Sequence, residues 1–411
     1  IVPVFAIDDV RPRDTEHTDT FLVSDGTHLS TKLFFRGRCK AEKLGEYLSV
    51  LSEIVFHSKK FMRSRTMETL KSVMEEIDVS IHERGGEYVD QRLEGRYSNR
   101  GTILEDSFGI NCLDRMKAIV KKAKTDFSEL EYTLTTLRDE IRHGHRNGMI
   151  LSITGEAELI EDAQDDIAHF LAKGVLKNEK AIPFPSVHMG AHPWTVDIAR
   201  ERKRIAPIRN EGVVVPTAVA FVGKGAQLFE SNKPISGSAS VVAKHLENGY
   251  LYKQFVVDRS ATSTSARLSY QHGTFRLIVS RDPNRDLVDS VQVMDDAGNA
   301  IARDIMNLNT LPPDGEGAII ATIAELDGSC LQPDEIGWEF LREYLRDETS
   351  EYRQVWRNEI LNTTRKDFAD FANRLLHWDN PTIVAISTRE EFQIVANSSD
   401  LDLTIVEPTI V

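Results

Sequence analysis

Two apolar segments, each followed by a short acidic segment, occupy corresponding places in the two halves of this 411-residue sequence. MILSITG at 149–155 precedes EAELIEDA, and PTIVAIS at 381–387 precedes REEFQIVA. In both halves strand-like sequence comes first, and a block of helical sequence separates it from this pair. The order predicts an α+β fold of two related domains, each a mostly antiparallel sheet covered by helices on one face.

The boundary between the two predicted domains falls in a segment of different composition. Residues 176–209 contain the proline-rich AIPFPSVHMGAHPW and the basic IARERKR, neither of which has the period of a helix or a strand. We therefore expect a first domain at 1–175, a linker at 176–209 and a second domain at 210–411. Two domains of about 200 residues also fit the size at which single cores stop growing.

The first predicted domain starts with strand-like sequence. IVPVFAIDDV at 1–10 and two short segments around a Ser-Asp-Gly turn, within 19–35, are predicted strands. Two long segments with the apolar spacing of a helix follow. The pair Gly85-Gly86 is expected to end the second of these helices. The other predicted elements are helices at 110–124, 127–145 and 156–174, and a buried strand at 149–155.

The second predicted domain repeats this order. A strand at 213–225 and a helix at 236–258 lead to two alternating segments, which the turn Gln-His-Gly joins as a hairpin. Thr364 and Asp367 form a pattern typical of a helix start. The remaining predicted elements are helices at 285–308, 315–328, 333–346, 349–361 and 363–378, a buried strand at 381–387 and a short helix at 389–397.

Composition excludes some classes of function. The net charge of −14, from 50 basic and 64 acidic side chains, argues against a nucleic-acid-binding protein, which needs a basic face. The charge suits cationic peptides as partners, although most such charge only keeps a surface solvated. Three well-separated cysteines, Cys39, Cys112 and Cys330, favour free thiols in a reducing compartment.

The first residues and the apolar runs do not have the patterns of a signal peptide or a membrane span. No apolar run reaches the roughly 18 residues of a membrane span, and the first residues lack the basic start of a signal peptide. Because there is no initiator methionine, the chain is expected to be a processed or excised segment.

Metal and catalytic motifs are missing too. Neither His-Glu-x-x-His nor His-x-x-Glu-His occurs, and no glycine-rich nucleotide loop or Gly-x-Ser-x-Gly turn is present. His143 and His145 lie at a predicted helix end, where histidine is common. His188 and His192 lie in the linker, where no helix would hold them on one face. We predict no catalytic residue and no bound metal in this chain.

The stretch DRSATSTSARLSY, at 258–270, is unusually rich in hydroxyl side chains. Its residues alternate, with Ser263, Ser265 and Arg267 on one side and Thr264 and Ala266 on the other, which predicts a strand. Taken alone, this strand is open to two interpretations, a substrate-handling segment or the polar side of a sheet.

The order of motifs in the second domain resembles the C-terminal half of presequence proteases and falcilysins, long zinc metallopeptidases of the pitrilysin/insulinase type. The matching segments are Ser280–Asn284 at the end of the hairpin, Thr322–Asp327 in a helix and Pro333–Gly337 after it. The resemblance covers about 210–395 well. It covers 20–175 more loosely, through the helical layout and the segment NGMILSITGEAE.

This resemblance implies two related domains that close, as half of a clamshell, around a peptide. In the family, zinc and its His-x-x-Glu-His motif lie in the N-terminal half, while an arginine and a tyrosine of the C-terminal half reach the substrate. Such donors stabilise the charge that a peptide carbonyl gains in the transition state. Aligned without gaps, the two positions are Val257 and Ser263 here. If Arg259 is taken as the arginine, the tyrosine position is Ser265.

The resemblance therefore leaves this chain without zinc ligands and without the usual arginine–tyrosine pair. The first domain also lacks about one helix and one strand of the family pattern, through cleavage or through deletion. The residues expected to contact substrate in place of the pair are Arg259, Ser263, Ser265 and Arg267.

Two functions remain open at this stage. In the first, the chain is the non-zinc C-terminal half of a peptide-degrading metallopeptidase and closes the peptide chamber, as a heterodimer, against a zinc-bearing N-terminal half. Unstructured, basic peptides are then the expected substrates, and zinc is expected only on the partner. In the second, the chain is a catalytically inactive structural subunit of a larger, mitochondrial assembly. We expect a mitochondrial matrix or another reducing soluble compartment in either case.

Overall fold

The structure is a computed structural model of the chain. It describes residues 2–9, 29–57, 60–144, 150–172, 197–198, 200–202, 207, 209–306, 308–328, 332–346, 348–399 and 401–408. The predicted segment 19–28, most of the predicted linker, Met149, His145, His188, His192 and Cys330 lie outside these residues.

The first part of the chain forms two strands and seven α-helices among the described residues up to 172. They are β1 (Val2–Asp9), β2 (Leu29–Arg36), α1 (Leu44–Phe56), α2 (Arg63–Tyr97), α3 (Asn99–Phe108), α4 (Ile110–Thr125), α5 (Phe127–Gly144), α6 (Ala157–Asp162) and α7 (Gln164–Phe170).

The second part contains six strands and eight α-helices within the described residues, and six of these helices follow one another between β6 and β7. Its elements are β3 (Glu211–Val214), β4 (Ala220–Gln227), α8 (Ser238–Leu246), β5 (Ser263–Ser269), β6 (Thr274–Asp282), α9 (Leu287–Asp295), α10 (Ala297–Asp304), α11 (Gly315–Asp327), α12 (Pro333–Arg346), α13 (Ser350–Leu361), α14 (Arg365–Leu376), β7 (Thr382–Ser387), α15 (Arg389–Ser398) and β8 (Thr404–Val406). Helix α8 continues directly into a π-helix, Glu247–Val257.

Six strands of the second part form one mixed sheet, in the order β5-β6-β4-β7-β3-β8. The pairs from β5 to β7 are antiparallel, whereas β3 runs parallel to both β7 and β8. A separate antiparallel pair joins β1 to β2, with Val2 opposite Arg36 and Asp9 opposite Leu29. The described residues therefore have an α+β fold with one large mixed sheet.

The two faces of the six-stranded sheet are covered by different parts of the chain. Because successive residues of a strand point to opposite faces, Val222 and Leu277 join the main core with the helices of the second part. Their neighbours Phe221 and Ile278 pack instead in a second core with Val89 and other residues of α2. The prediction of helices on one face is wrong for this sheet, since a helix of the first part covers the other face.

The helix end predicted at Gly85-Gly86 is correct in part, because α2 is kinked at Arg84, directly before the pair, and then continues as a second helical segment to Tyr97. The helix runs for 35 residues, and its one non-helical residue is Arg84, with φ −119° and ψ 31°. A Cβ on Gly85 would lie 2.5 Å from the ring of Phe221, and one on Gly86 would collide with Oγ of Ser280. The glycines therefore allow the helix to lie directly on the sheet.

The predicted buried strand at 149–155 is wrong over its described residues. Residues 150–155 form no strand, and no described strand pairs with them. Ile150 and Leu151 are 37% and 36% exposed, so this apolar run is not the core of a sheet. Thr154 lies against Gly337 of α12 instead, so close that a Cβ on Gly337 would collide with its side chain.

Most elements of the second part confirm their predictions. The β5–β6 hairpin turns at the predicted Gln-His-Gly, and α14 begins with a capping box in which the Thr364 N–H donates to Asp367 Oδ2 at 2.7 Å. The predicted strand at 213–225 is two strands, β3 and β4, on either side of Pro216, which has no N–H to donate to a ladder. The sequence did not predict α3 or β8.

Candidate substrate surface on the edge strand

Strand β5 lies at the edge of the sheet and carries three of the four predicted contact residues. Its partner β6 places Ser263 opposite Ser280 and Arg267 opposite Arg276. The side chains of Ser263, Ser265 and Arg267 therefore lie on the face that α2 covers. The alternation read from the sequence is confirmed.

The open side of β5 is partly closed by the π-helix. The backbone N–H of Ala266 donates to Oε2 of Glu247 at 3.0 Å. A carboxylate on an edge N–H satisfies a donor that another chain would otherwise pair with. β5 is therefore less able to pair with an additional strand than its position at the edge of the sheet implies.

The two positions predicted to correspond to the family's arginine and tyrosine lie at the end of the π-helix and at the start of β5. Val257 is the last residue of the π-helix and is 61% exposed. Ser263 is the first residue of β5 and is also exposed. Between them, Ser260 has a φ of 64°, in the left-handed region that favours glycine. The chain reverses there and leaves both side chains in contact with solvent.

Arg259 is held against the molecule. Its Nη2 lies 2.5 Å from Oδ2 of Asp289 in α9, and its guanidinium stacks 5.0 Å above the ring of Phe255. The side chain is 11% exposed. This pairing fixes the arginine between the π-helix and α9.

Arg267 connects the edge strand to α2. Its Nη1 donates to Oδ2 of Asp90 at 3.1 Å, while Nε of the buried Arg276 donates to Oδ1 of the same carboxylate at 2.5 Å. Burial acts to lower the pKa of Arg276, but the carboxylates of Asp90 and Glu94 outweigh it and raise that pKa. One aspartate of the first part thus pairs with two arginines of the hairpin.

Glu94, one helical turn after Asp90, extends this network. Its carboxylate lies 3.6 Å from Nη2 of Arg276, 3.1 Å from Nη1 of Arg100 and 3.9 Å from Nε2 of His272 at the hairpin turn. Burial acts to raise the pKa of Glu94, but Arg276, Arg100 and His272 outweigh it and lower that pKa. The carboxylate therefore stays ionised against the hairpin.

A second buried network joins the far end of α2 to β3. Arg92 donates to Glu211 at 2.7 Å and to Glu105 of α3 at 2.6 Å, and Arg96 pairs with Glu211 at 2.6 Å. Burial acts to raise the pKa of Glu211, but the two arginines outweigh it and lower that pKa. For Glu105 burial dominates over Arg92 and raises the pKa.

The π-helix presents an exposed side that leads to Val257. Tyr252 is 51% exposed, and Gly249 and Lys253 are exposed as well. Because a π-helix bonds residue i to i+5, residues four to five positions apart share a side, which places Tyr252 and Lys253 next to Val257. We call Gly249, Tyr252, Lys253 and Val257 the π-helix face. The sequence of 236–258 predicts an ordinary helix, so it does not reveal this face.

The described residues do not fit a zinc ion. No group of three or more His, Cys, Asp or Glu side chains among them is arranged to hold a metal, and the sequence lacks His-x-x-Glu-His. We therefore derive no step through a metal for this chain. None of the described helices is both long and apolar enough to cross a membrane.

Residues 210–389 match the family model of the PreP C-terminal domain. The six-stranded sheet, the β5–β6 hairpin and helices α8 to α14 fall within or across this range. This segment is thus similar to the C-terminal domain of presequence proteases. The chain is a distant homologue of presequence protease, and the resemblance read from the sequence is confirmed.

A curated relative and solved structures show the extent of this similarity. Presequence protease 1, chloroplastic/mitochondrial, of Arabidopsis thaliana is 25% identical over 368 residues, which are 89% of this chain and 32% of that protein. The chain thus spans about a third of the length of this relative. A conserved protein from Enterococcus faecalis is 14% identical, with a TM-score of 0.49 over 94% of this chain and 82% of that one. A peptidase M16 inactive domain from Pseudomonas fluorescens is 13% identical, with a TM-score of 0.33 over 47% and 50% of the two chains.

Proposed function

We propose that this chain is the non-zinc C-terminal half of a presequence-protease-like peptidase and closes a peptide chamber against a zinc-bearing N-terminal half. The match of 210–389 to the PreP C-terminal domain carries the proposal. Under it, 1–175 and 210–411 are two related pitrilysin-like domains joined by the linker 176–209. The zinc belongs to the partner half.

The proposed contribution of this chain is to hold the peptide from the opposite side of the chamber. Ser263 and Ser265 offer hydroxyl groups at the start of β5, and the π-helix face adds a phenol and an ammonium group from Tyr252 and Lys253. Donors of these kinds can stabilise charge that develops on a substrate oxygen. Arg259 and Arg267 also contribute positive charge, although the guanidinium of each is paired with a carboxylate.

The proposed substrates are unstructured peptides, with a preference for basic ones. The net charge of −14 supports this preference, because an acidic surface raises the local concentration of cationic ligands. The Arabidopsis relative is described as chloroplastic/mitochondrial and as a presequence protease. We extend to this chain only a reducing compartment such as the mitochondrial matrix.

A structural subunit is the second candidate function. The observation that favours it is the state of the predicted contact residues: Val257 and Ser263 replace the family pair, and Arg259 is committed to Asp289. A chain that has lost these donors would still keep the sheet and the helices through which a larger assembly is built.

Mixing the two halves tests these functions. The zinc-bearing half encoded in the source genome, in the same reading frame or as a separate gene, is produced separately and added to this chain with an unstructured basic peptide. Zinc-dependent cleavage that needs both chains is the expected result, and a Glu→Gln change in the partner's His-x-x-Glu-His is the negative control. A stable complex without cleavage would establish the structural subunit instead, and two halves that do not associate would overturn both.

A pair of variants in the same assay tests the candidate surface. Val257→Arg with Ser263→Tyr restores the family donors, and we expect kcat/KM to rise by about tenfold or more, since a single such donor contributes about 10²–10³ in other enzymes. Ser269→Tyr, at the far end of β5 on the same face, is the matched control and should leave kcat/KM within about twofold. An equal response of the two variants would show that the start of β5 does not face the substrate.

A further inference from the structure

Exposed cations gather where the start of α2 meets the end of α4. Nη2 of Arg63 donates to the backbone oxygen of Lys124 at 3.1 Å, which joins the two helix ends. We call the following exposed residues the basic corner: Lys60, Arg63, Arg65, Lys121 and Lys124. The whole chain has a net charge of −14, so the basic corner is opposite in sign to the chain that carries it.

The side chains of the basic corner form no ion pair within the described part of the chain. Carboxylates near them are used elsewhere, because Glu75 pairs with Lys71 and Glu129 pairs with Lys122. Glu68, one helical turn after Arg65, is exposed and lies beyond ion-pair distance of that guanidinium. The positive charges of the basic corner therefore face solvent.

Local helix stability does not explain three of these cations. Lys60, Arg63 and Arg65 lie at the N-terminal end of α2, where the helix dipole favours acidic side chains over basic ones. The first turn of α2 has no acidic residue, and the N-cap is Met62, whose side chain caps nothing. Ser, Thr, Asp or Asn is favoured at that position. Positions that depart from local rules in this way are typical of functional sites.

An apolar side chain lies among the cations of the basic corner. Met62 is 60% exposed, between Lys60 and Arg63. An anionic bilayer accepts both kinds of group, since apolar side chains enter its interface while cations lie beside its phosphates. A single-stranded nucleic acid would instead stack on an exposed aromatic side chain. The neighbouring Phe61 is half-buried, with the guanidinium of Arg138 5.5 Å from its ring centre.

We propose that the basic corner docks this chain onto an anionic lipid surface. Negative charges on other faces do not prevent the contact, because salt screens charges separated by more than about 8 Å at physiological ionic strength. They keep those faces away from the bilayer, so the start of α2 and the end of α4 point toward it. Each cation near such a surface strengthens binding about fivefold, which makes the contact reversible. It is independent of the proposed peptidase function.

Sedimentation of the chain with lipid vesicles tests the proposal. At low salt the chain should bind phosphatidylcholine vesicles that contain about 30% phosphatidylserine, and should not bind phosphatidylcholine alone. Lys60→Glu with Arg65→Glu should lower the partition coefficient by about 25-fold or more, since two contributions of about fivefold are lost. Lys233→Glu with Lys366→Glu, at exposed positions elsewhere, makes the same change in net charge and should alter the coefficient by less than about twofold.

Two further measurements separate docking from other effects. Met62→Ser keeps every charge and should also weaken vesicle binding, because the apolar contact with the bilayer interface is lost. The variant Lys60→Glu with Arg65→Glu should unfold at no lower a temperature than the unmodified chain, since it places acidic side chains at a helix start. Its loss of binding then does not come from unfolding.

Three results would overturn the proposal. The unmodified chain may fail to sediment with the phosphatidylserine vesicles, or the variant Lys60→Glu with Arg65→Glu may bind them as well as the control variant does. In the third result, the chain binds a single-stranded oligonucleotide more tightly than vesicles through Lys60 and Arg65, and Met62→Ser leaves that binding unchanged; the partner is then a nucleic acid. The proposed peptidase function is tested by cleavage and stands or fails separately.

Discussion

At the scale of single residues, a glycine in a helical segment can either end the helix or allow close contact with a neighbouring element. The sequence alone does not distinguish these two roles. A glycine pair after a helical period is typical of a helix end, and Gly85-Gly86 was interpreted in this way. In the structure the pair lies inside α2, where the side chain of any other residue would meet Phe221 or Ser280. This role depends on contacts with Phe221 and Ser280 of the sheet, which are 136 and 194 residues later in the chain, so no local sequence pattern reveals it.

Gly85→Ala is expected to lower stability even though alanine is the better helix former. The new Cβ would lie 2.5 Å from the buried ring of Phe221, and overpacking of a close contact costs about 1–3 kcal/mol. The gain in helix propensity, up to about 1 kcal/mol, does not offset this. Urea unfolding of the purified chain measures the difference.

Gly317→Ala in α11 is the matched control for this change. A Cβ on Gly317 would meet nothing within 4 Å, so the substitution should be neutral or stabilise by up to about 1 kcal/mol. If the two alanine variants unfold at the same urea concentration, close approach does not explain the glycine at position 85.

Some features of the candidate surface could be predicted from the sequence, and others could not. The resemblance singled out Val257 and Ser263, and both are exposed, one at the end of the π-helix and the other at the start of β5. The partners of the two arginines were not predictable, because Asp289 lies 30 residues after Arg259 and Asp90 lies 177 residues before Arg267. Those distances are set by packing and not by the local pattern.

At the scale of elements, α2 belongs to two regions that the sequence had assigned to different domains. Its second half carries Asp90, Glu94, Arg92 and Arg96, each paired with a residue of the six-stranded sheet. The amphipathic pattern of a helix predicts that it has a buried side. It does not identify the sheet that will cover that side, and so the shared helix escaped prediction.

The ion pairs of α2 predict an acid limit to stability. Because the pKa of Glu94 is lowered from 4.5 in the folded chain, its contribution is complete at pH values above about 4.5 and is lost as the pH falls through the folded value. Urea unfolding should show the free energy of unfolding decreasing from about pH 5 to pH 3. The expected physical cause is protonation of a carboxylate that faces Arg276.

Glu94→Gln isolates this contribution. The variant should be less stable by about 1–3 kcal/mol at pH 7, since it removes one partner of a buried arginine that keeps Asp90. It should also lose less stability toward pH 3, so that the two curves converge. Glu46→Gln removes an exposed pair with Lys43, 72% and 60% exposed at the side chains, and should leave the profile unchanged. Parallel curves for Glu94→Gln and the unmodified chain would rule out Glu94 as the group responsible.

At the scale of the whole molecule, the predicted division at 210 does not separate the cores. The order of strands and helices after 210 was predicted well, because each has its own period and turn signals. The second core nevertheless combines Ile81, Val89 and Leu93 of α2 with Phe221 and Ile278 of the sheet. Composition locates a domain boundary only along the sequence. The second core, however, contains residues from both sides of that boundary.

A fragment containing only 210–411 is therefore expected not to fold. Without α2, one face of the sheet exposes the large apolar side chains Phe221, Ile278, Val384 and Ile386. At about 1.5–3 kcal/mol each, their burial contributes about 6–12 kcal/mol, which is comparable to the total stability of a domain of about 5–15 kcal/mol. The fragment should aggregate or bind a hydrophobic dye, and should lack the cooperative unfolding of the full chain.

Supplying α2 as a separate polypeptide tests whether its absence prevents 210–411 from folding. Co-expression of 210–411 with 60–125, which contains α2, α3 and α4, should restore a soluble complex that unfolds cooperatively. The same segment with Gly85→Leu should fail to do so, because a leucine side chain cannot fit between the helix and Phe221. If 210–411 instead folds alone and unfolds cooperatively at the same temperature as the full chain, the sheet does not depend on α2, and the two parts are independent domains as the sequence had predicted.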